Sequence, residues 1–183
     1  MRKTFARRFL AVVAIAAAPA PGLAQAAQPC LTPAEFSSLA TYGLPSIIKG
    51  VSDRCGPTLR AGGWLPRNGG QLAARYSQAK PAAWPGARAA FFKFSGSGGA
   101  GGRDLSGAFR NLPDENLQPI VDGLIEGLIS QQVPLERCST IDRVISLVAP
   151  LPPQNTAELI ALTAGLASQS RGGIASKLKL CSA

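Results

Sequence analysis

From Leu117 to Leu166 the apolar residues recur at helical spacing three times in succession, and this restricts the chain to a fold built from helices. Leu117, Ile120, Val121, Leu124, Ile125, Leu128 and Ile129 fall at i, i+3, i+4, i+7, i+8, i+11 and i+12, a continuous stripe. A second segment carries Ile141, Val144, Ile145 and Val148, with Ser139 and Asp142 at capping-box spacing and Pro150 as its stop. A third is predicted to open at Asn155 as N-cap, with Glu158 in its first turn and Leu159, Leu162 and Leu166 on its packing face. These three helices are expected to form the packing centre, and none of their residues is an obvious catalyst.

The amino terminus has the pattern of an export signal. Arg2, Lys3, Arg7 and Arg8 precede an apolar run from Phe9 to Ala18, followed by Pro19, Pro21 and the small residues Ala24 and Ala26 at A-x-A spacing. The run is shorter than the ~20 residues that span a bilayer. Cleavage after Ala26 by the Sec route would leave residues 27–183 as one periplasmic or secreted domain with no transmembrane segment.

All four cysteines, Cys30, Cys55, Cys138 and Cys181, fall in that domain, an even number in a compartment where disulfides persist. Thr32-Pro33-Ala34-Glu35 is a capping box with proline at its first helical position, and Leu31 with Phe36 would complete a hydrophobic staple. Gly43-Leu44-Pro45 is expected to turn the chain into a hairpin, which would bring Cys30 to Cys55. A helix running straight through would hold those two about 37 Å apart at 1.5 Å per residue, far beyond disulfide reach. The expected pairs are therefore Cys30 with Cys55 and Cys138 with Cys181, each closing a helical hairpin. Without a C-x-x-C or a histidine, a zinc or redox site is a poor reading of these cysteines.

Charge is divided unevenly along the chain. Lys49 to Arg110 carries a net +8, whereas Asn111 to Ser170 carries a net −5. The basic part also holds Trp64, Tyr76, Trp84, Phe91, Phe92 and Phe94, on helices expected around 71–78 and 81–94, followed by a glycine-rich flexible loop over 95–102. In one reading these aromatics fill the core while the arginines reach into water. In the other, Arg67, Arg75, Lys80, Trp84, Arg88, Phe92 and Lys93 form a surface for an acidic partner. Phe92 lies off the face of its neighbours, and its complete burial would remove the main support for the second reading.

The remaining motif matches are weak. Gly96, Gly98 and Gly101 spell G-x-G-x-x-G, but a helix precedes them where a dinucleotide site needs a strand. Ser46 and Lys49 spell S-x-x-K with no K-T-G to accompany them. Without histidine the usual triads are excluded, which leaves carboxylates such as Asp122 and Glu126, on the solvent-leaning side of one helix and pointing the same way. Asp114 and Glu115 suit a helix N-terminus. Gly123 and Gly127 would admit another helix at close range.

The expected architecture is an all-α, single-domain bundle of about six short helices arranged as hairpins and clamped by two disulfides, with an extended tail over 171–183. The expected function is a non-enzymatic binding or accessory protein of the cell envelope. Its partner would be a lipid headgroup, lipopolysaccharide, a cell-wall polymer or an acidic protein rather than nucleic acid, with no cofactor or metal. A carboxylate hydrolase and a structural or assembly subunit are the alternatives.

Overall fold

The computed structural model describes residues 30–59, 61–96, 106–168 and 180–181. The elements are α1 (Pro33–Cys55), α2 (Trp64–Ser77), α3 (Lys80–Gly96), α4 (Ser106–Phe109), α5 (Asp114–Gln132), a 3-10 turn (Leu135–Arg137), α6 (Cys138–Val148) and α7 (Pro153–Ser168). Among the described residues there is no β-strand, and the protein is an all-α bundle with two disulfides.

The packing centre is α1 and not the Leu117–Leu166 stretch. Its start is the expected capping box: Thr32 Oγ1 accepts from Glu35 N at 3.2 Å, and Thr32 N donates to Glu35 Oε2 at 2.9 Å. The expected turn at Gly43-Leu44-Pro45 does not occur, and the helix continues for 23 residues with Pro45 inside it. Proline forfeits one backbone bond, but every residue from Ala40 to Ser46 is buried, so packing on all sides outweighs that local cost. Buried Tyr42, Leu44, Ile48 and Val51 each contribute about 1.5–3 kcal/mol to this core.

Helices α2, α3, α5 and α7 all pack on α1. Tyr42 meets Gln118, Ser46 meets Asp122 and Arg54 meets Val133, so α5 runs parallel to α1. Small residues set the close approaches. A Cβ on Gly50 would lie 2.8 Å from the Glu126 carbonyl oxygen, and one on Gly86 would lie 2.5 Å from Ser38 Oγ. Gly123 and Gly127, the expected approach points, have nothing within 4 Å of such a Cβ, because they lie off the face that α5 turns to α1.

With α1 straight, Cys30 and Cys55 sit at opposite ends and cannot meet. The pairs are Cys30–Cys181 and Cys55–Cys138, with Cα separations of 5.0 and 5.4 Å. The first is continued by a parallel bridge between Leu31 and Leu180, with Cys181 N donating to Leu31 O at 2.9 Å. The second ties the end of α1 to the start of α6. Of the expected tail, Leu180 and Cys181 are held in this way, and 171–179 with 182–183 lie outside the described residues.

Further expectations are corrected. Asp142 does not cap its own helix but that of α2, accepting from Trp64 N and Leu65 N at 3.1 and 2.6 Å. α7 opens at Pro153, and it buries Thr156 and Ala157 while Leu159, Leu162 and Leu166 are 48, 68 and 71% exposed. The small side chains Ala157, Ala161 and Ala164 let α7 lie close on the core, and this turns the leucines outward. Ser95 and Gly96 belong to α3, and the rest of the glycine-rich stretch, Gly98 and Gly101 included, is outside the described residues.

Candidate functional site

The seven candidate surface residues divide between two helices with different roles. On α3, Lys80 pairs with Asp122, Arg88 with Asp114 at 3.1 Å and Lys93 with Glu35 at 2.7 Å. Lys80–Asp122, Arg88–Asp114 and Lys49–Glu126, the last at 2.7 Å, set the basic part of the sequence against the acidic part, so part of the charge asymmetry along the chain is neutralised in space, while Lys93 pairs with Glu35 of α1. Trp84 is buried against Tyr42, with ring centroids 4.9 Å apart, and serves the core. Phe92 is half-buried, with the Arg88 guanidinium 4.9 Å from its ring centroid and Phe91 edge-on at 5.5 Å.

Asp122 and Glu126 face α1 instead of solvent. Asp122 accepts from Ser46 Oγ at 3.1 Å and from Lys80, whose ammonium lies 4.4 Å from the centre of the Tyr42 ring. Burial, with the Asp122 charge second, pushes the Tyr42 phenol well above its ordinary range. Lys49 is raised by its bond to Glu126. These groups clamp α1 to α3 and α5, and the S-x-x-K pair is consumed in them.

The cations of α2 are placed otherwise. Arg67 is exposed and donates to the backbone carbonyls of Gly62 and Gly63 at 2.8 and 3.0 Å. Arg75 donates to the Ala149 carbonyl and lies 5.5 Å from the Tyr76 ring centroid. One of the five guanidinium N–H groups suffices for that bond, and the head is held in place over the ring.

Arg75 borders an open cleft of about 720 Å³ between α2 and the end of α6. The polar part of its wall is Trp64, Asn68, Gln71 and Arg75 from α2 and Gln78 just after it, with Ser146 from α6, and Ala149 and Pro150 also line it. Among the described residues the wall holds one cation, three amides, a hydroxyl and an indole, and no carboxylate. The start of α2 is fixed by Asp142, and Tyr76 anchors its far end by hydrogen-bonding Leu151 O at 3.0 Å and Thr156 Oγ1 at 3.1 Å. The cleft is thus mounted on a rigid helix. Sequence reasoning picked out Arg75 but missed the amides. Their signal is a stripe at i, i+4, i+7, i+11 and i+14 along Trp64, Asn68, Gln71, Arg75 and Gln78, a polar counterpart of an apolar face.

Among the described residues no cluster of three or more histidine, cysteine, aspartate or glutamate side chains could hold a metal ion, and no helix is long and apolar enough to cross a membrane. Compared with protein-family models, curated proteins and solved structures, the chain matches none of them.

Proposed function

We propose that this is an exported, non-enzymatic binding protein of the cell envelope, and that its α2–α6 cleft takes an anionic, hydroxyl-rich polymer such as a cell-wall glycan or the sugar portion of lipopolysaccharide. The composition of the cleft carries this reading. Amide side chains both donate and accept, which suits sugar hydroxyls, an indole offers an apolar face to a sugar ring, and Arg75 supplies planar donors for a carboxylate or phosphate. Absence of a carboxylate from the described residues of the wall favours an anion over a cation. Export is supported by the amino-terminal pattern of Arg2 to Ala26 and by the pairing of all four cysteines.

Retention of the mature chain on isolated cell wall and on lipopolysaccharide tests this. Binding is expected to weaken about tenfold or more in Arg75→Ala and in Gln71→Ala, and to fall as salt rises from about 50 to about 500 mM. Retention unchanged in both variants overturns the reading.

A further inference from the structure

The two disulfides differ in what surrounds them and in what they hold. Cys55 and Cys138 are each 0% exposed and belong to the main core cluster with Ile48, Val51, Leu65 and Leu72. Cys30 and Cys181 are both partly exposed. An attacking thiolate has to reach a sulfur before exchange begins, so access decides which bond opens first. The buried bond joins the end of α1 to the start of α6, two helices that are packed into the core in any case. The accessible bond joins a residue just before the cap of α1 to a residue beyond α7. Among the described residues, two other attachments hold Leu180 and Cys181. Cys181 N donates to Leu31 O at 2.9 Å, and the Leu180 side chain packs against the cluster of Leu31, Phe36 and Ala90. α7 has its own packing on α1 and does not depend on them.

We propose that Cys30–Cys181 is a redox switch: a dithiol reductant opens it while Cys55–Cys138 stays closed, and opening detaches Leu180 and Cys181 from the start of α1 with the helices left in place. The proposal does not rest on the glycan reading. In the exchange, one thiolate of the reductant bonds to a sulfur of the pair as the Cys30–Cys181 bond breaks, and the other cysteine leaves as a thiolate. The reductant's second thiolate then attacks the mixed disulfide, closing the reductant's own disulfide and releasing the remaining cysteine. Two electrons pass from the dithiol to the protein, and its two protons end on Cys30 and Cys181. One hydrogen bond and one leucine side chain are then all that is left at the site, too little to hold a chain segment against its conformational entropy. At the other pair the surrounding core has to open before a thiolate can enter, so that bond keeps α1 joined to α6.

Timed exposure of the mature, disulfide-bonded protein to dithiothreitol without denaturant, followed by acid quenching, alkylation and mass mapping of each cysteine, is the test. Cys30 and Cys181 are expected to become alkylated together, about 100-fold or more faster than Cys55 and Cys138. In the form that carries two thiols, far-ultraviolet circular dichroism is expected to keep its helical signal. Hydrogen exchange of the peptide holding Leu180 and Cys181 is expected to quicken about tenfold or more, while peptides from Phe36 to Val51 keep their protection. Withdrawal of the dithiol and addition of oxidised glutathione is expected to restore the bond and the protection. The double variant Cys30→Ser, Cys181→Ser is expected to exchange like the two-thiol form without any reductant. Reduction of both pairs at one rate, or of Cys55–Cys138 first, overturns the proposal. So does loss of the helical signal with the first pair, unchanged exchange at Leu180 and Cys181, or failure of the bond to re-form.

Discussion

Asp142 of α6 accepts hydrogen bonds from the backbone N–H groups of Trp64 and Leu65, so the first turn of α2 is capped by a side chain from a helix 78 positions further along the chain. A cap of this kind contributes about 1–2 kcal/mol. Asp142→Ala is therefore expected to lower the unfolding free energy in urea by that amount, and Asp142→Asn, which keeps an acceptor, by less. Because Trp64 forms part of the cleft wall, the alanine variant is also expected to bind cell wall more weakly.

Gly50 and Gly127 should respond in opposite directions to the same substitution. A methyl group at Gly50 meets the Glu126 backbone at 2.8 Å, which cannot swing aside, so Gly50→Ala is expected to cost about 1–3 kcal/mol through displacement of α5. At Gly127 nothing lies within 4 Å, and alanine should stabilise by up to ~1 kcal/mol through helix propensity. Thermal melts of the two variants check both signs.

Non-reducing peptide mapping is expected to recover Cys30 joined to Cys181 and Cys55 joined to Cys138. The second bond spans 83 positions, for which chain entropy gives about 4–5 kcal/mol. The double variant Cys55→Ala, Cys138→Ala should lose stability of that order in denaturant titrations.

Acid should weaken the clamp at the start of α1. The Lys93 ammonium, with the Thr32 N–H second, holds the Glu35 carboxyl below its ordinary value of 4.5 against the opposing effect of burial. A carboxyl lowered in the folded state contributes stability above its unfolded pKa and loses it as pH falls through the folded one. The stability difference between the parent and Glu35→Gln is thus expected to be about 1 kcal/mol at neutral pH and to shrink as pH falls below the ordinary value of 4.5 and through the lowered folded one. Melts across that range provide the measurement.

The helices that carry one apolar face and one polar face were readable in the sequence. α5 follows the stripe from Leu117 to Ile129, and Thr32 with Glu35 marks the start of α1. What was not readable is the part of α1 that has no polar face. From Phe36 to Ile48 no residue is charged, and a helix enclosed on all sides shows no period to detect, so Gly43 and Pro45 stood out as a turn. The wrong cysteine pairs followed from that single error, since a hairpin and a straight helix place Cys55 at opposite ends of the molecule. In α7 the leucines suggested the buried face, but close packing selected the alanines. The cleft escaped because its amides lie along one helical line and no single residue among them has distinctive chemistry. The pairing of α3 cations with α1 and α5 carboxylates was hidden for a different reason, since it joins residues 42 to 58 positions apart in the case of Lys80 and Lys93.

The Cys30–Cys181 bond, with Leu31 beside Leu180, knots the beginning and the end of the described chain to each other. Tension applied at the two extremities would be carried across one covalent link, and the seven helices between them would bear no load. Mechanically the domain is a closed ring, which can be stretched open only after that link is chemically reduced.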